Sequence, residues 1–326
     1  MKVIVIGLGS MGKRRIRLLK RFEQVEKIIG VDGRIDRRKE TKSTLGCEVC
    51  ESIEQAMEEF SDISSVFICT SPLSHSELIT MALNYKLNVF TEINLVSDGY
   101  EENIRLAKEH GKVLFLSSTF FYREEIQFIR DRIAGRNNLN YVYHIGQYLP
   151  DWHPWENYKD FFVREKRTNG CREIMAIELP WLIGTFGSVN NCHVISDNIS
   201  KLNIQYKDNY MIQLEHINGN KGTLIVDIVS PKAVRNLEVY GENIYYSWNG
   251  SPTTLEQFNP KTKAIERVPL PEEAEYIEGY GSLIIENAYQ NEIKEFLDVV
   301  AGIVTPQYSF EEDLKVLRLI DKIEEA

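Results

Sequence analysis

The chain has 326 residues, enough for two domains that each bury a core of their own. Its formal charge of -10 at pH 7, from 38 basic and 48 acidic residues, disfavours binding to nucleic acid or to an anionic membrane. No apolar run approaches the roughly 20 residues that span a bilayer, and the first strand begins at Lys2, so we expect neither a membrane span nor a signal peptide, and a cytoplasmic location.

Short apolar strands alternate with amphipathic helices through the first 120 residues. This order is typical of a parallel sheet with helices on both faces. Strands are predicted at 3–6, 27–32, 65–70, 88–92 and 113–117, with a further short segment near Cys47. Helices are predicted at 13–22, 34–45, 74–85 and 97–110, and another follows the capping residue Ser52. Residues 1–120 are therefore predicted to form a doubly wound NAD(P)-binding Rossmann domain.

The pattern changes near residue 120, and residues 121–326 are predicted to form an α+β domain that binds substrate and mediates oligomerisation. Helices are predicted at 123–134, 173–186, 282–301 and 310–325, the last packing back on the Rossmann domain. Strands are predicted at 141–148, 192–196, 211–217, 223–229, 236–240 and 244–248. Tight turns such as Asn218-Gly219 favour an open-faced, mostly antiparallel sheet. The expected fold class is α/β with this second domain.

A glycine-rich turn joins the first strand to the first helix, with the sequence Gly7-Leu8-Gly9-Ser10-Met11-Gly12. In this context G-x-G-x-x-G is typical of dinucleotide binding. Gly7 permits the tight turn, Gly9 lets the backbone approach a diphosphate, and Gly12 lets the helix pack on the strand. The N–H groups at the helix start, around Ser10 and Met11, then face the phosphates.

Asp32 lies twenty residues beyond Gly12, at the end of the second predicted strand. A carboxylate there accepts hydrogen bonds from the ribose hydroxyls and repels a 2′-phosphate, which favours NAD. Arg34, Arg37 and Arg38 follow, and an arginine can accommodate a 2′-phosphate, so NADP stays possible; these arginines also fit a solvated helix face. The five cysteines are scattered along the chain, and two of them lie in the segment Cys47-Glu48-Val49-Cys50. This pair could bind zinc or act in redox chemistry, but free thiols are favoured and no metal is expected.

The segment Ile68-Cys69-Thr70-Ser71-Pro72-Leu73-Ser74-His75 resembles the T-P-x-x-x-H segment of the glucose–fructose oxidoreductase, inositol dehydrogenase and MocA family. Phe310-Glu311-Glu312-Asp313-Leu314 resembles the family's last helix. The resemblance implies a Rossmann domain followed by an open-faced sheet, and a set of residues bordering the cofactor: Thr70, Ser71, Pro72, Leu73, His75 and Glu92. Arg34 joins them from the second strand–helix turn.

Two departures from the family pattern concern proton transfer. The E-K-P motif is Glu92-Ile93-Asn94 here, so the lysine is replaced by isoleucine, which offers no proton. In the helix that carries the D-x-G-x-H-x-x-D pattern, Glu173 keeps the first carboxylate, whereas Ile177 replaces the histidine base. Glu178 follows one residue on, rotated by about 100°, and could act only if the helix is shifted or kinked, which Pro180 could cause.

Replacements are expected from Glu178, His153, Glu173 or Tyr122 as catalytic residues. The aromatic loop before the signature helix also offers stacking faces and cations for a sugar-like substrate. The loop residues expected to bind substrate are Trp152, Trp155, Tyr158, Lys166 and Arg167. Arg123 is added to them because Tyr122 and Arg123 resemble an aromatic–arginine pair of the family. The alternatives stay open: His153-Pro154 is also a structural turn, and Glu178 a helix cap or internal salt bridge.

Two functions are therefore compatible with the sequence. The first is an NAD-dependent oxidoreductase acting on the hydroxyl or carbonyl of a sugar, nucleotide sugar or sugar acid, with atypical acid–base residues. The second is a non-catalytic sensor or scaffold that binds the dinucleotide, motivated by Ile93 and Ile177. By analogy with the family, a homo-oligomer, dimer or tetramer, is expected through the open sheet.

Overall fold

The computed structural model describes residues 1–152, 157–270 and 285–326. The chain divides into two compact units, one of residues 1–118 with 289–315 and the other of residues 119–288 with 316–326. The segment 289–315 thus groups with the first unit, although it lies within residues 121–326, which the sequence assigned to the second domain with the last helix packing back on the Rossmann domain. Within the described helices, none combines the length and the apolar character needed to cross a membrane.

The first unit contains a six-stranded parallel sheet in the order β3-β2-β1-β4-β5-β6. Its strands are β1 (Lys2–Ile6), β2 (Lys27–Val31), β3 (Glu48–Cys50), β4 (Ile63–Ile68), β5 (Asn88–Thr91) and β6 (Leu114–Leu116). The apolar run Val3, Ile4 and Val5 of the central strand is fully buried. A continuous apolar strand suits a parallel sheet, since both its faces are covered. The predicted Rossmann-type fold is confirmed.

Five helices connect these strands: α1 (Ser10–Leu19), α2 (Ile35–Leu45), α3 (Ile53–Glu59), α4 (His75–Asn84) and α5 (Tyr100–His110). Ser52 caps α3 by accepting a hydrogen bond from the Gln55 N–H, as the sequence predicts. The predicted start of α5 at residue 97 is three residues early. Gly99 adopts φ 70°, outside the helical region, so the helix begins after it.

The second unit contains an eight-stranded sheet in the order β14-β13-β12-β11-β7-β10-β9-β8, in which only β7 and β10 pair in parallel. Its strands are β7 (Asn140–Gly146), β8 (Val189–Asp197), β9 (Asn209–His216), β10 (Lys221–Asp227), β11 (Val234–Gly241), β12 (Ile244–Trp248), β13 (Glu256–Asn259) and β14 (Ala264–Arg267). The last two strands were not predicted, because their short polar sequences lack an apolar alternation. The predicted mostly antiparallel sheet is confirmed.

Two helices of the second unit are α6 (Glu124–Ile133) and α7 (Gly170–Phe186). The helix α7 packs on one face of the sheet: the Tyr141 ring stacks on Phe186 at 4.1 Å between centroids, and Tyr143 meets Trp181 edge-on at 5.3 Å. Asn169 caps α7 through the Arg172 N–H, so the helix starts three residues before the predicted position. It continues through Pro180 to Phe186.

The remaining helices are α8 (Glu286–Val300) and α9 (Phe310–Glu325). From Tyr289 onward, α8 belongs to the first unit, where Phe296 makes edge contacts with Phe67, Phe90 and Phe115 at 5.1 to 5.7 Å. These three rings lie on neighbouring strands of the parallel sheet and are buried by the helix. The segment therefore supplies an apolar cover for the first sheet.

Candidate functional site

The turn between β1 and α1 leaves room above one of its three glycines. A Cβ on Gly12 would lie 1.9 Å from the Gly7 carbonyl oxygen, and Gly7 itself has φ +88°, with a hypothetical Cβ 2.7 Å from the Cys69 oxygen. A Cβ on Gly9 would meet only Arg37, at 3.9 Å. Gly7 and Gly12 are thus required by the fold, whereas Gly9 borders open space.

The start of α1 can hold an anion. Its N-cap Gly9 has no side chain to cap the helix, and the first turn contains no acidic residue. The backbone N–H groups of Ser10, Met11 and Gly12 therefore have no intrahelical acceptor, and the helix dipole adds partial positive charge. These features fit the diphosphate of a dinucleotide.

Asp32 follows β2 and is fixed by backbone donors. Its Oδ2 accepts from the Leu8 N–H and its Oδ1 from the Arg34 N–H, each at 2.8 Å. Arg34 pairs with Asp36, while Arg38 bonds the Asp32 carbonyl and pairs with Glu51. Arg37 Nη1 lies 3.6 Å from the Asp32 carboxylate. The predicted arginines are thus bound to acidic neighbours, and the Asp32 carboxylate is held at the turn.

Within the Thr70–His75 segment, Pro72–Ser74 forms a one-turn 3-10 helix after β4, and His75 begins α4. His75 is buried; its Nδ1 lies 2.7 Å from Asn94 Oδ1 and its Nε2 lies 3.1 Å from the Thr70 carbonyl oxygen. Burial lowers the pKa of His75. Pro72 is also buried, whereas Leu73 is 45% exposed. His75 therefore braces the segment from inside, and Leu73 lies on its accessible side.

Glu92, expected beside the cofactor, takes part in a buried ionic network. Arg15 of α1 contacts its two carboxylate oxygens at 2.6 and 3.1 Å, and also bonds Glu292 of α8 at 2.7 Å. Arg15 and Glu292 are fully buried, and Ser117 donates to Glu292. Glu92 thus holds α1 against the sheet, and sequence spacing gave no sign of partners so far apart.

Glu178, the leading sequence candidate for the base, lies within the core of the second unit. Its Oε2 accepts from the Tyr143 hydroxyl at 2.8 Å and from Trp181 Nε1 at 2.7 Å, while Oε1 pairs with Arg235 Nη2 at 2.6 Å. Its side chain is 1% exposed. With three donors around a buried carboxylate, Glu178 has the internal salt bridge that was its alternative interpretation, and the placement argues against a general base.

Glu173 offers a better proton-transfer group on the same helix. Its Oε2 is buried and has no hydrogen-bond partner among the described residues. Burial raises its pKa to about 8, so that the carboxyl group is mostly protonated at neutral pH. Ile177, one turn along α7, is partly exposed, as Glu173 is. Both therefore lie on the less buried face of α7.

Tyr122 ends the 3-10 turn Thr119–Tyr122, Arg123 follows it, and both residues are buried. Arg123 bonds both oxygens of Glu125 at 3.2 and 3.0 Å and donates to the Gly250 carbonyl oxygen at 2.8 Å. Its guanidinium also lies over the Trp248 ring at 4.9 Å. The expected substrate role of Arg123 is thus disfavoured, because its donors serve the fold.

The aromatic loop is described in part. Trp152 is half-buried and donates from Nε1 to the Gln147 carbonyl oxygen at 3.1 Å. Tyr158 is half-buried, whereas Lys166 and Arg167 are exposed. The predicted residues His153 and Trp155 lie outside the described residues.

Arg235 of β11 was absent from the sequence-based candidates. Besides its bond to Glu178, its guanidinium lies 4.5 Å from the centroid of the Phe120 ring, and its side chain is 14% exposed. Burial alone would lower the pKa of Arg235, but the neighbouring Glu178 raises it, so the group is charged. An arginine within a strand pattern carries no sequence signal of its own.

The thiols of Cys47 and Cys50 are free and buried, and burial raises their pKa. Across residues 1–152, 157–270 and 285–326, no group of three or more potential metal ligands comes together. The structure gives these cysteines no partner that suggests zinc or redox chemistry.

Comparison with known proteins matches residues 1–118 to the GFO_IDH_MocA model, described as an oxidoreductase family with an NAD-binding Rossmann fold. Human biliverdin reductase A is 28% identical over 139 residues, covering 42% of this chain and 46% of that protein. Myo-inositol 2-dehydrogenase of Thermotoga maritima is 33% identical over 117 residues, 35% of each chain. The matches thus span less than half the length of these relatives.

A likeness in fold extends over the whole chain. An oxidoreductase from Agrobacterium radiobacter, solved with NAD+, L-tartaric acid and magnesium, superposes with a TM-score of 0.81 at 15% identity, covering 100% of this chain and 95% of that one. At this identity the similarity establishes the fold, which includes both units.

Proposed function

Because residues 1–118 match the model of an oxidoreductase family with an NAD-binding Rossmann fold, we propose that the chain is an NAD(H)-dependent oxidoreductase. Its substrate is a sugar, a nucleotide sugar or a sugar acid, reacting at a hydroxyl or carbonyl carbon. The observation that carries the proposal is the open space over Gly9 at an uncapped helix start, with Asp32 fixed nearby.

Residues of the first unit account for dinucleotide binding. The N–H groups of Ser10, Met11 and Gly12 hold the diphosphate, and Asp32 accepts the adenosine ribose hydroxyls. Thr70, Ser71 and Leu73 border the dinucleotide from the end of β4. When bound, the nicotinamide supplies hydride chemistry that no side chain can supply. NAD is preferred to NADP, because a 2′-phosphate would meet the Asp32 carboxylate.

Glu173 performs proton transfer in place of the missing lysine and histidine. A carboxyl group with a pKa of about 8 can donate a proton to a developing alkoxide near neutral pH, or accept one in the reverse reaction. Its partly exposed position one turn before Ile177 supports this role. Glu178, held by three donors in the core, positions Arg235.

Turnover with a substrate panel tests the function. Absorbance of NADH at 340 nm is followed with sugars, sugar acids and nucleotide sugars, in both directions, and with biliverdin because of the matching relatives. The proposal expects turnover with at least one carbohydrate and loss of it in Glu173→Gln. Tight NADH binding without turnover across the panel would count against an enzyme, and turnover with biliverdin alone would replace the carbohydrate substrate.

A non-catalytic dinucleotide sensor or scaffold is the second candidate. The observation that favours it is the pair of aliphatic residues, Ile93 and Ile177, at the family's proton-transfer positions. In that case Glu173→Gln leaves the biological activity intact, whereas blocking the turn with Gly9→Trp abolishes it. Loss of a measured reaction in Glu173→Gln excludes this candidate.

A homo-oligomer through the open sheet face accompanies either function. Ile195 of β8 and Met211 of β9 are paired in register and are 62% and 45% exposed, and Ile225 of β10 is the next residue in the same row. Adjacent apolar side chains on three strands support an interface. Light scattering after size exclusion tests it: Met211→Glu, on the solvent-facing side, is expected to yield monomers.

A further inference from the structure

Two arginines of the second unit flank the Phe120 ring but differ in how many of their donors are used. The guanidinium of Arg123 lies 5.6 Å from the ring centroid and that of Arg235 lies 4.5 Å from it. Arg123 is held by both oxygens of Glu125 and by the Gly250 carbonyl. Among the described residues, Nη2 of Arg235 bonds Glu178, the Tyr143 hydroxyl is a second polar neighbour of the guanidinium, and Nε has no hydrogen-bond partner.

The unused donors of Arg235 need an explanation. A guanidinium has five N–H groups, and here the buried Nε has no partner among the described residues. An unsatisfied buried donor is costly, so native structures rarely keep one without a role. The guanidinium carbon lies 4.5 Å from the centroid of the Phe120 ring and Nη2 is bonded to Glu178, so these two neighbours hold the group in place.

Glu178 does not occupy all the donors of Arg235. Its Oε1 accepts from Nη2 of Arg235, whereas its Oε2 accepts from the Tyr143 hydroxyl and from Trp181 Nε1. The guanidinium of Arg235 therefore keeps donors that no neighbour uses, on a side chain that is 14% exposed. A planar fork of this kind suits a carboxylate or a phosphate.

We propose that Arg235 is a specificity-determining residue that binds an oxyanion group of the substrate, its guanidinium held between Phe120 and Glu178. The proposal rests on the proposed function for the identity of the substrate, but its chemistry is independent of turnover. A carboxylate of a sugar acid and a phosphate of a nucleotide sugar both present this oxyanion. Arg123, which the family resemblance suggested for the pocket, is a structural residue instead.

Calorimetric titration of the full chain, with and without NADH, tests the proposal with two matched pairs of probes. D-Glucuronate is compared with D-glucose, and N-acetylglucosamine 1-phosphate with N-acetylglucosamine. The wild type is expected to bind at least one anionic probe about tenfold or more tightly than its neutral counterpart, since a hydrogen-bonded charge pair is worth roughly that factor or more. Which pair shows the preference distinguishes carboxylate from phosphate.

Variants assign the preference to one arginine. Arg235→Met is expected to remove the preference for the anionic probe. Arg235→Lys is expected to keep part of it, because lysine has the charge but not the planar pair of N–H donors of a guanidinium. Since Arg235→Met leaves Glu178 buried without its cation, the double variant Arg235→Met/Glu178→Gln removes both charges and keeps the result interpretable if the single variant unfolds. Arg123→Met, the matched control on the other side of Phe120, keeps the ratio of anionic to neutral affinity.

Three results would overturn the proposal: no preference for either anionic probe, a preference that survives in the double variant, or an equal loss in Arg123→Met. The outcome is separable from that of the proposed function. An Arg235-dependent preference without NADH oxidation contradicts the enzyme and supports the oxyanion site. Turnover of neutral sugars that is unchanged in the Arg235 variants supports the enzyme and contradicts the oxyanion site.

Discussion

The hydroxyl of Tyr143 on β7 donates a 2.8 Å hydrogen bond to Oε2 of Glu178 on α7, within the core of the second unit. The same carboxylate holds Arg235, so Glu178→Gln would leave a buried guanidinium without its counter-ion. We expect this change to lower the free energy of unfolding by about 3 kcal/mol. Urea unfolding measures it, and an equally stable but inactive Glu178→Gln would restore Glu178 as a candidate base.

Glu173→Gln is expected to have the opposite effect on stability at high pH. The folded-state pKa of Glu173, about 8, lies above its usual value of 4.5. Its contribution to stability is therefore complete below pH 4.5 and is lost as pH rises through 8, on the order of 5 kcal/mol in total. Urea unfolding of both proteins at pH 5, 7 and 9 measures this. The free energy of unfolding of the variant should rise relative to that of the wild type as pH rises, and a difference that is constant with pH would contradict a buried acid.

The same carboxyl group predicts the pH dependence of catalysis. If Glu173 donates the proton during reduction of a carbonyl, kcat falls as pH rises through about 8, because the acid form is lost. Glu173→Gln should lower kcat by about 10²- to 10⁴-fold and remove this limb of the profile. If kcat of the variant still falls as pH rises through about 8, another group donates the proton.

Gly9 and Gly12 form a matched pair for the cofactor site. A Cβ at position 9 fits the fold but occupies the space over the helix start, whereas a Cβ at position 12 would lie 1.9 Å from the Gly7 oxygen. Gly9→Ala should keep the melting temperature and lose the thermal stabilisation that NADH gives the wild type. Gly12→Ala should unfold at a lower temperature even without cofactor. Undiminished stabilisation of Gly9→Ala by NADH would place the diphosphate elsewhere.

Asp32 is expected to set the choice between the two coenzymes. In Asp32→Ser the repulsion of a 2′-phosphate is removed while Arg37, 3.6 Å from the carboxylate, stays in place. The ratio of kcat/KM for NADH to that for NADPH should fall by at least about tenfold. Asp36→Ser, which removes the exposed partner of Arg34, is the control and should leave the ratio unchanged. A shift of equal size in the control would assign coenzyme choice to the arginines.

Local patterns were sufficient to predict the cofactor half of the molecule. The turn from β1 to α1 and the position of Asp32 depend on residues close in sequence, where glycine spacing and strand length are informative. The Ser52 cap and the end of α2 at Gly46, which has φ 59°, follow from the same kind of local chemistry.

The other half depends on contacts between distant residues. Arg15 meets Glu292 from 277 positions away, and Glu178 meets Arg235 from 57 positions away. No spacing rule predicts such pairs, so Glu178 looked available for catalysis in the sequence although the fold buries it. Arg235 was missed for the same reason, since its unused donors become visible only when its neighbours are known.

Isothermal calorimetry of the full chain with NAD+, NADH, NADP+ and NADPH tests the central claim most directly. Saturable heat with NAD+ or NADH, weaker for the phosphorylated coenzymes, is the result expected from an open helix start beside Asp32. The absence of binding heat with all four coenzymes, for a protein that melts cooperatively, would contradict a nicotinamide-dependent function for this chain.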